Sequence, residues 1–87
     1  VRLVGNAFKL AREELYCELY GKYLLENGPY LGEPEFDEMC KSNPLVRKAA
    51  IFANDMGHIK VSRHGGLSLT PWGVLYVEEE YLKESVL

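Results

Sequence analysis

Cysteine and histidine are scarce in this chain, two of each, and none is spaced to hold a metal. Cys17 and Cys40 are too few for a disulfide framework, and no CxxC or HxxxH pair occurs, which excludes disulfide-scaffold and zinc-site classes. Both cysteines fall in helical patterns that read as buried free thiols of a reducing compartment. No stretch approaches the roughly 18 consecutive apolar residues that a membrane helix requires. There is no glycine-rich phosphate loop, because Gly65-Gly66 lacks the lysine and following helix that would make one. Nothing in the spacing pairs Cys40 as a nucleophile with His58 as its base, so the sequence predicts neither enzyme activity, nor a catalytic residue, nor a cofactor. Repeats, low-complexity tracts and linkers are missing too. The opening Val1-Arg2-Leu3-Val4-Gly5 carries no initiator Met and no signal-peptide core, so we expect a trimmed or excised chain that works inside the cell, in the cytoplasm.

What is present is the material of one domain. Eighty-seven residues cannot supply two cores, and a hydrophobic share of 47% beside 26% charged residues is globular rather than disordered composition. A chain this short buries only about 60–65% of its unfolded surface, which leaves room for a partner subunit to add support. The net charge of −3 is unevenly spread. From Lys41 to His64 there are five basic residues against the single Asp55, a net +4, while the rest of the chain holds five against twelve, a net −7. Such segregation is the mark of a surface that meets an anion.

Glycine and proline provide the punctuation. Asn6 suits a helix cap and Gly28-Pro29 a stop, predicting a first helix over 6–27. Its apolar stripes are Phe8, Ala11, Leu15 and Leu19, with Leu10, Cys17 and Leu24 beside them. Tyr30-Leu31 reads as an extended link. Pro34 and its acidic neighbours open a second helix over 34–41, with Phe36, Met39 and Cys40 inward. Asn43-Pro44 restarts the chain as a third helix over 44–56, with Leu45, Ala49, Phe52 and Met56 inward and Gly57 as its stop. His58 to Ser62 alternates as a strand, Arg63-His64-Gly65-Gly66 turns, and Leu67-Ser68-Leu69 returns, a hairpin over 58–69. Thr70-Pro71 opens a last helix over 71–85, with Val74, Leu75, Val77, Tyr81 and Leu82 inward. The fold class is α+β, mainly helical, in the order α-α-α-β-β-α.

Gly57-His58-Ile59-Lys60-Val61, followed through the hairpin by Leu69-Thr70-Pro71-Trp72-Gly73, resembles the winged helix-turn-helix domain of many small regulators of bacteria and archaea. The resemblance covers about Phe8 to Leu82. It implies a prokaryotic transcription regulator that binds double-stranded DNA, with helix 44–56 in the major groove and the hairpin tip beside the backbone. The residues it assigns to DNA are Lys41, Asn43, Arg47, Lys48, Asn54, Lys60, Arg63 and His64. Arginine suits guanine and asparagine suits adenine, and both also serve as phosphate contacts. It further implies that Leu69 closes the hairpin, Thr70 caps, Pro71 sets the first turn and Gly73 permits close approach.

The tyrosines allow two readings. Tyr16, Tyr20 and Tyr23 with Tyr76 and Tyr81 form either a homodimer seam or the packing of the first helix on the last. Trp72 is expected as a lid over the hairpin, His58 at a strand edge, and Glu78-Glu79-Glu80 as a solvated face. A second function class stays open. Overall acidity and the apolar Val46, Ile51 and Ala53 on the third helix suit a winged-helix protein-interaction module of a larger complex, or a small protein that binds another regulator or polymerase.

Overall fold

The computed structural model describes residues 2–25 and 30–82, with side chains from residue 7 onward. The elements run α1 (Arg2–Leu24), α2 (Glu33–Ser42), α3 (Leu45–Asp55), β1 (Ile59–Val61), β2 (Leu67–Leu69) and α4 (Pro71–Glu80). The chain is thus a mainly helical α+β fold with four helices and one two-stranded antiparallel sheet. Among the described residues no helix is long and apolar enough to cross a membrane.

α1 is the element around which the rest gathers, packing against α3, β2 and α4. Its backbone is already helical at Arg2, so Asn6 lies inside the helix instead of capping it. The helix closes at Leu24, where the Leu25 N–H bonds back to the Lys22 carbonyl at 3.1 Å; the expected stop at Gly28-Pro29 lies outside the described residues. Ala11, Leu15 and Leu19 are fully buried as expected, each leucine contributing about 1.5–3 kcal/mol. The companion stripe is not. Leu10, Cys17 and Leu24 are exposed, because the 11-15-19 stripe and Tyr16 already fill the side of α1 that the other elements cover.

Leu31 pairs with the sheet as well as linking two helices. Its N–H donates to the Leu67 carbonyl at 2.7 Å and its carbonyl accepts from the Leu67 N–H at 2.9 Å. α2 follows at once, and the Glu35 carboxylate accepts from the Gly32 N–H at 3.4 Å, half of a capping box. Lys22 donates to Glu35 at 3.0 Å, tying α1 to α2, and with the Gly32 N–H it holds the Glu35 carboxyl below the usual range.

α3 presents to the core a different face from the expected one. Val46, Ala49 and Ala53 are fully buried, Leu45 and Phe52 are half-buried, and Met56 is exposed. Both registers satisfy helical spacing, and the small alanines win because α3 lies close against α1. The helix ends in a Schellman motif: the His58 N–H reaches the Ala53 carbonyl at 2.8 Å and the Gly57 N–H reaches that of Asn54 at 3.1 Å. That geometry needs Gly57 at φ +76°, a conformation that side chains disfavour.

The chain then enters the hairpin, with Ile59 opposite Leu69, Lys60 opposite Ser68 and Val61 opposite Leu67. Thr70 joins three elements at its far end. Its hydroxyl donates to the Gly57 carbonyl at 2.6 Å and accepts from the Gly73 N–H at 3.2 Å, while its own N–H bonds the His58 carbonyl at 2.9 Å. A Cβ at Gly73 would meet the His58 carbonyl oxygen and, at 2.8 Å, Leu69 Cδ2. The Leu-Thr-Pro-x-Gly run therefore performs the packing expected of it. α4 stops at Glu80 instead of 85, and the N–H groups of Tyr81 and Leu82 both turn back to the Val77 carbonyl; residues 83–85 lie outside the described residues.

Candidate functional site

With Val46 and Ala53 in the core, the outward face of α3 carries Arg47, Lys48, Ile51, Asn54 and Asp55. Asn43 and Pro44 aim this face. The Asn43 side-chain oxygen accepts from the Leu45 N–H at 3.2 Å and its backbone carbonyl from the Val46 N–H at 2.9 Å. Asn43 thus holds the turn and has less freedom to meet a ligand. Lys41 lies 3.6 Å from Glu38 on its own helix. Arg47 lies 4.0 Å from Asp37, with its guanidinium 5.7 Å over the Phe36 ring. Both pairs are solvent-exposed and contribute about 0–1 kcal/mol each, so a phosphate can displace either carboxylate.

The hairpin divides its own cations. Alternation puts Lys60, opposite Ser68, on the face of the ribbon away from Ile59, Val61, Leu67 and Leu69. Arg63 and His64 stand exposed at the tip. The tip is shaped by Ser62, whose hydroxyl accepts the N–H groups of His64 at 3.3 Å and Gly66 at 2.9 Å. Between α3 and the hairpin lies a groove of about 320 Å³, floored by Phe36, Ala50, Ile51, Ile59, Val61 and Leu67 and rimmed by Arg47 and Asn54. The structure therefore brings Arg47 and Asn54 together on one groove and sets Lys48, Lys60, Arg63 and His64 around it on separate faces. No family model, curated protein or solved structure matches this chain. Among the described residues no three His, Cys, Asp or Glu side chains gather where a metal ion would bind.

Four of the five tyrosines pack between α1 and the C-terminal end of the fold. Tyr16 is 0% exposed, its ring centre 5.2 Å from that of Tyr76 and 6.1 Å from that of Tyr81. Tyr16 is wholly enclosed by its own chain, so it presents nothing to a second copy, and Tyr76 and Tyr81 pack on it from α4. Tyr20 donates to Glu78 at 3.0 Å, joining α1 to α4. Of the five, Tyr23 is the exposed one.

His58 belongs to the same cluster. It is 6% exposed, not an open strand-edge residue. Its Nδ1 shares a 2.7 Å hydrogen bond with the Tyr16 hydroxyl, and its ring stacks on Tyr76 at 4.5 Å and 27°. Burial pushes the imidazole below its ordinary pKa and the Tyr16 hydroxyl well above its own. Arg12, which the sequence pattern gave no reason to single out, lies 5.1 Å over the Phe8 ring and 4.9 Å over the Phe52 ring, close enough to oppose the rise at Tyr16 and Tyr81. Trp72 departs furthest from expectation. It is 70% exposed, and Gly73 rather than the indole lies against the His58 carbonyl and Leu69.

Proposed function

We propose that this chain is a winged helix-turn-helix module of a transcription regulator that binds double-stranded DNA. In this reading α3 enters the major groove and the hairpin lies along the backbone. One observation carries it. Lys48, Lys60 and Arg63 are exposed on α3 and the hairpin, and among the described residues no carboxylate pairs with them. Their hydration shells and counterions are free to be exchanged for phosphate. Arg47 and Asn54, one turn apart from Ile51 on either side, are then the base-reading pair.

The test is anisotropy of a labelled mixed-sequence duplex at two salt concentrations. Three phosphate contacts give a slope of about −2.7 in log K against log salt, so affinity falls about 40-fold between 50 and 200 mM salt. Lys48→Ala or Arg63→Ala each lowers the slope by about 0.9. No binding at low salt overturns the reading.

The groove favours a second reading, a protein-interaction module, since Ile51 and Val61 flank it more than half exposed. A stable complex lost on Ile51→Glu, with no duplex binding at low salt, would establish that reading instead.

A further inference from the structure

We propose that a second groove, where the end of α3 meets α4, binds a basic side chain, Lys or Arg, on an extended segment of a protein partner. It holds about 310 Å³ and is lined by Met56, His58, Trp72, Leu75, Tyr76 and Glu79. Trp72, Leu75, Tyr76 and Glu79 recur at i, i+3, i+4 and i+7, so they form one face of α4. Tyr76 packs inward on His58 and Tyr16, and among the described residues Trp72, Leu75 and Glu79 of that face stay exposed. Trp72, Met56 and Leu75 are each half exposed or more, three large apolar side chains lining one groove.

The chemistry of the groove selects a cation. The indole of Trp72 supplies an open π face, the best side-chain partner for Lys or Arg. Met56 and Leu75 offer apolar walls along which the methylene stem of such a side chain can lie. Glu79 lines the groove, and among the described residues it has no ion-pair partner. Glu78, on the neighbouring flank, is taken by Tyr20. His58 adds no competing charge at neutral pH, since its ring is buried against Tyr76 and bonded to Tyr16. The phosphates of a nucleic acid or the carboxylates of an acidic segment would be repelled by Glu79, so this surface is separate from the proposed DNA-binding one and can be tested apart from it.

Trp72 is the only tryptophan in the chain, so its fluorescence reports occupancy of the groove directly. The probe is the blocked peptide acetyl-Ala-Arg-Leu-Arg-Ala-amide, with acetyl-Ala-Glu-Leu-Glu-Ala-amide as its charge-reversed counterpart. The basic peptide should give a saturable change in Trp72 emission and the acidic one none. Glu79→Gln should weaken binding about fivefold, the loss of one exposed ion pair, whereas Glu80→Gln, off the groove, should change it less than about twofold. Lys48→Ala and Arg63→Ala should leave peptide binding intact. The proposal is overturned by no saturable change up to about 10 mM peptide, or by equal weakening in the Glu79 and Glu80 variants, which would mean diffuse attraction only. It is also overturned if Trp72 emission shifts with protein concentration in the absence of peptide, because a second copy would then fill the groove.

Discussion

Two glycine-to-alanine substitutions should move stability in opposite directions, and the difference tests how α4 is seated. In a helix interior alanine is favoured over glycine by about 1 kcal/mol. At Gly21, in α1, an added Cβ meets nothing within 4 Å, so Gly21→Ala should realise most of that gain. At Gly73 the same preference is opposed by contact with the His58 carbonyl oxygen, with Leu69 Cδ2 at 2.8 Å and with the His58 carbonyl carbon at 3.1 Å. The His58 backbone cannot easily withdraw, since its N–H is held by Ala53 and its carbonyl accepts the Thr70 N–H. Overpacking of about 1–3 kcal/mol, plus about 1 kcal/mol for a strained hydrogen bond, leaves Gly73→Ala destabilised by about 1–3 kcal/mol after the helix gain. In a domain of this size each kcal/mol moves Tm by about 4–8 °C. Far-UV circular dichroism melts should therefore show Gly21→Ala melting about 4–8 °C higher than the parent and Gly73→Ala roughly 5–20 °C lower. A Gly73→Ala protein as stable as the parent would refute the close approach of α4 to the His58 backbone and Leu69, and with it the packing role given to the Leu-Thr-Pro-x-Gly run.

Thr70→Val keeps the shape of the side chain but removes both the donor to Gly57 and the acceptor for Gly73; urea unfolding should show a loss of about 1–2 kcal/mol. Because burial makes folded His58 harder to protonate than in the unfolded chain, the unfolded state takes up the proton first. Stability should therefore be constant above about pH 6.5 and fall as the pH drops below it, which urea midpoints at pH 7.5 and 5.5 would show. A midpoint that rises on acidification would contradict that placement of the ring. Tyr16→Phe strips His58 of its partner and should cost about 1–3 kcal/mol at pH 7.5, read in the same titration.

The order of elements was readable in the sequence because each boundary has a local chemical cause. Asn43-Pro44, Gly57 and Thr70-Pro71 act through hydrogen bonds to residues a few positions away, and such signals survive without knowledge of the tertiary fold. The apolar faces were less readable. In α1, both the 11-15-19 and the 10-17-24 stripes have helical spacing, and only the placement of α3, β2 and α4 decides which is covered. His58 and Arg12 were missed for a related reason. Each is a polar residue whose partners, Tyr16 and the Phe8–Phe52 pair, include residues more than thirty positions away. Trp72 shows the opposite error, since size and aromaticity suggest burial, yet the neighbouring glycine makes the contact.

The register of α3 bears directly on function. In the sequence, the apolar Val46, Ile51 and Ala53 suit a protein-interaction module; in the fold only Ile51 of the three faces outward. The apolar count that favoured a protein-interaction module therefore shrinks to one residue on α3 plus Val61 of the hairpin. The acidic second helix acts locally as well. Glu38 and Asp37 answer Lys41 and Arg47 at the α2 side of the face, while Lys48, Lys60 and Arg63 have no such counterweight among the described residues. On the DNA reading, then, affinity comes mostly from phosphate contacts made by three unpaired cations, and sequence preference from two side chains, one of which must first leave Asp37. Arg47→Ala should accordingly lower discrimination between duplexes more than it lowers affinity, whereas Lys48→Ala should weaken all duplexes alike. Competition assays with two unrelated duplexes separate these outcomes, and a uniform loss in Arg47→Ala would place that residue with the phosphate contacts instead.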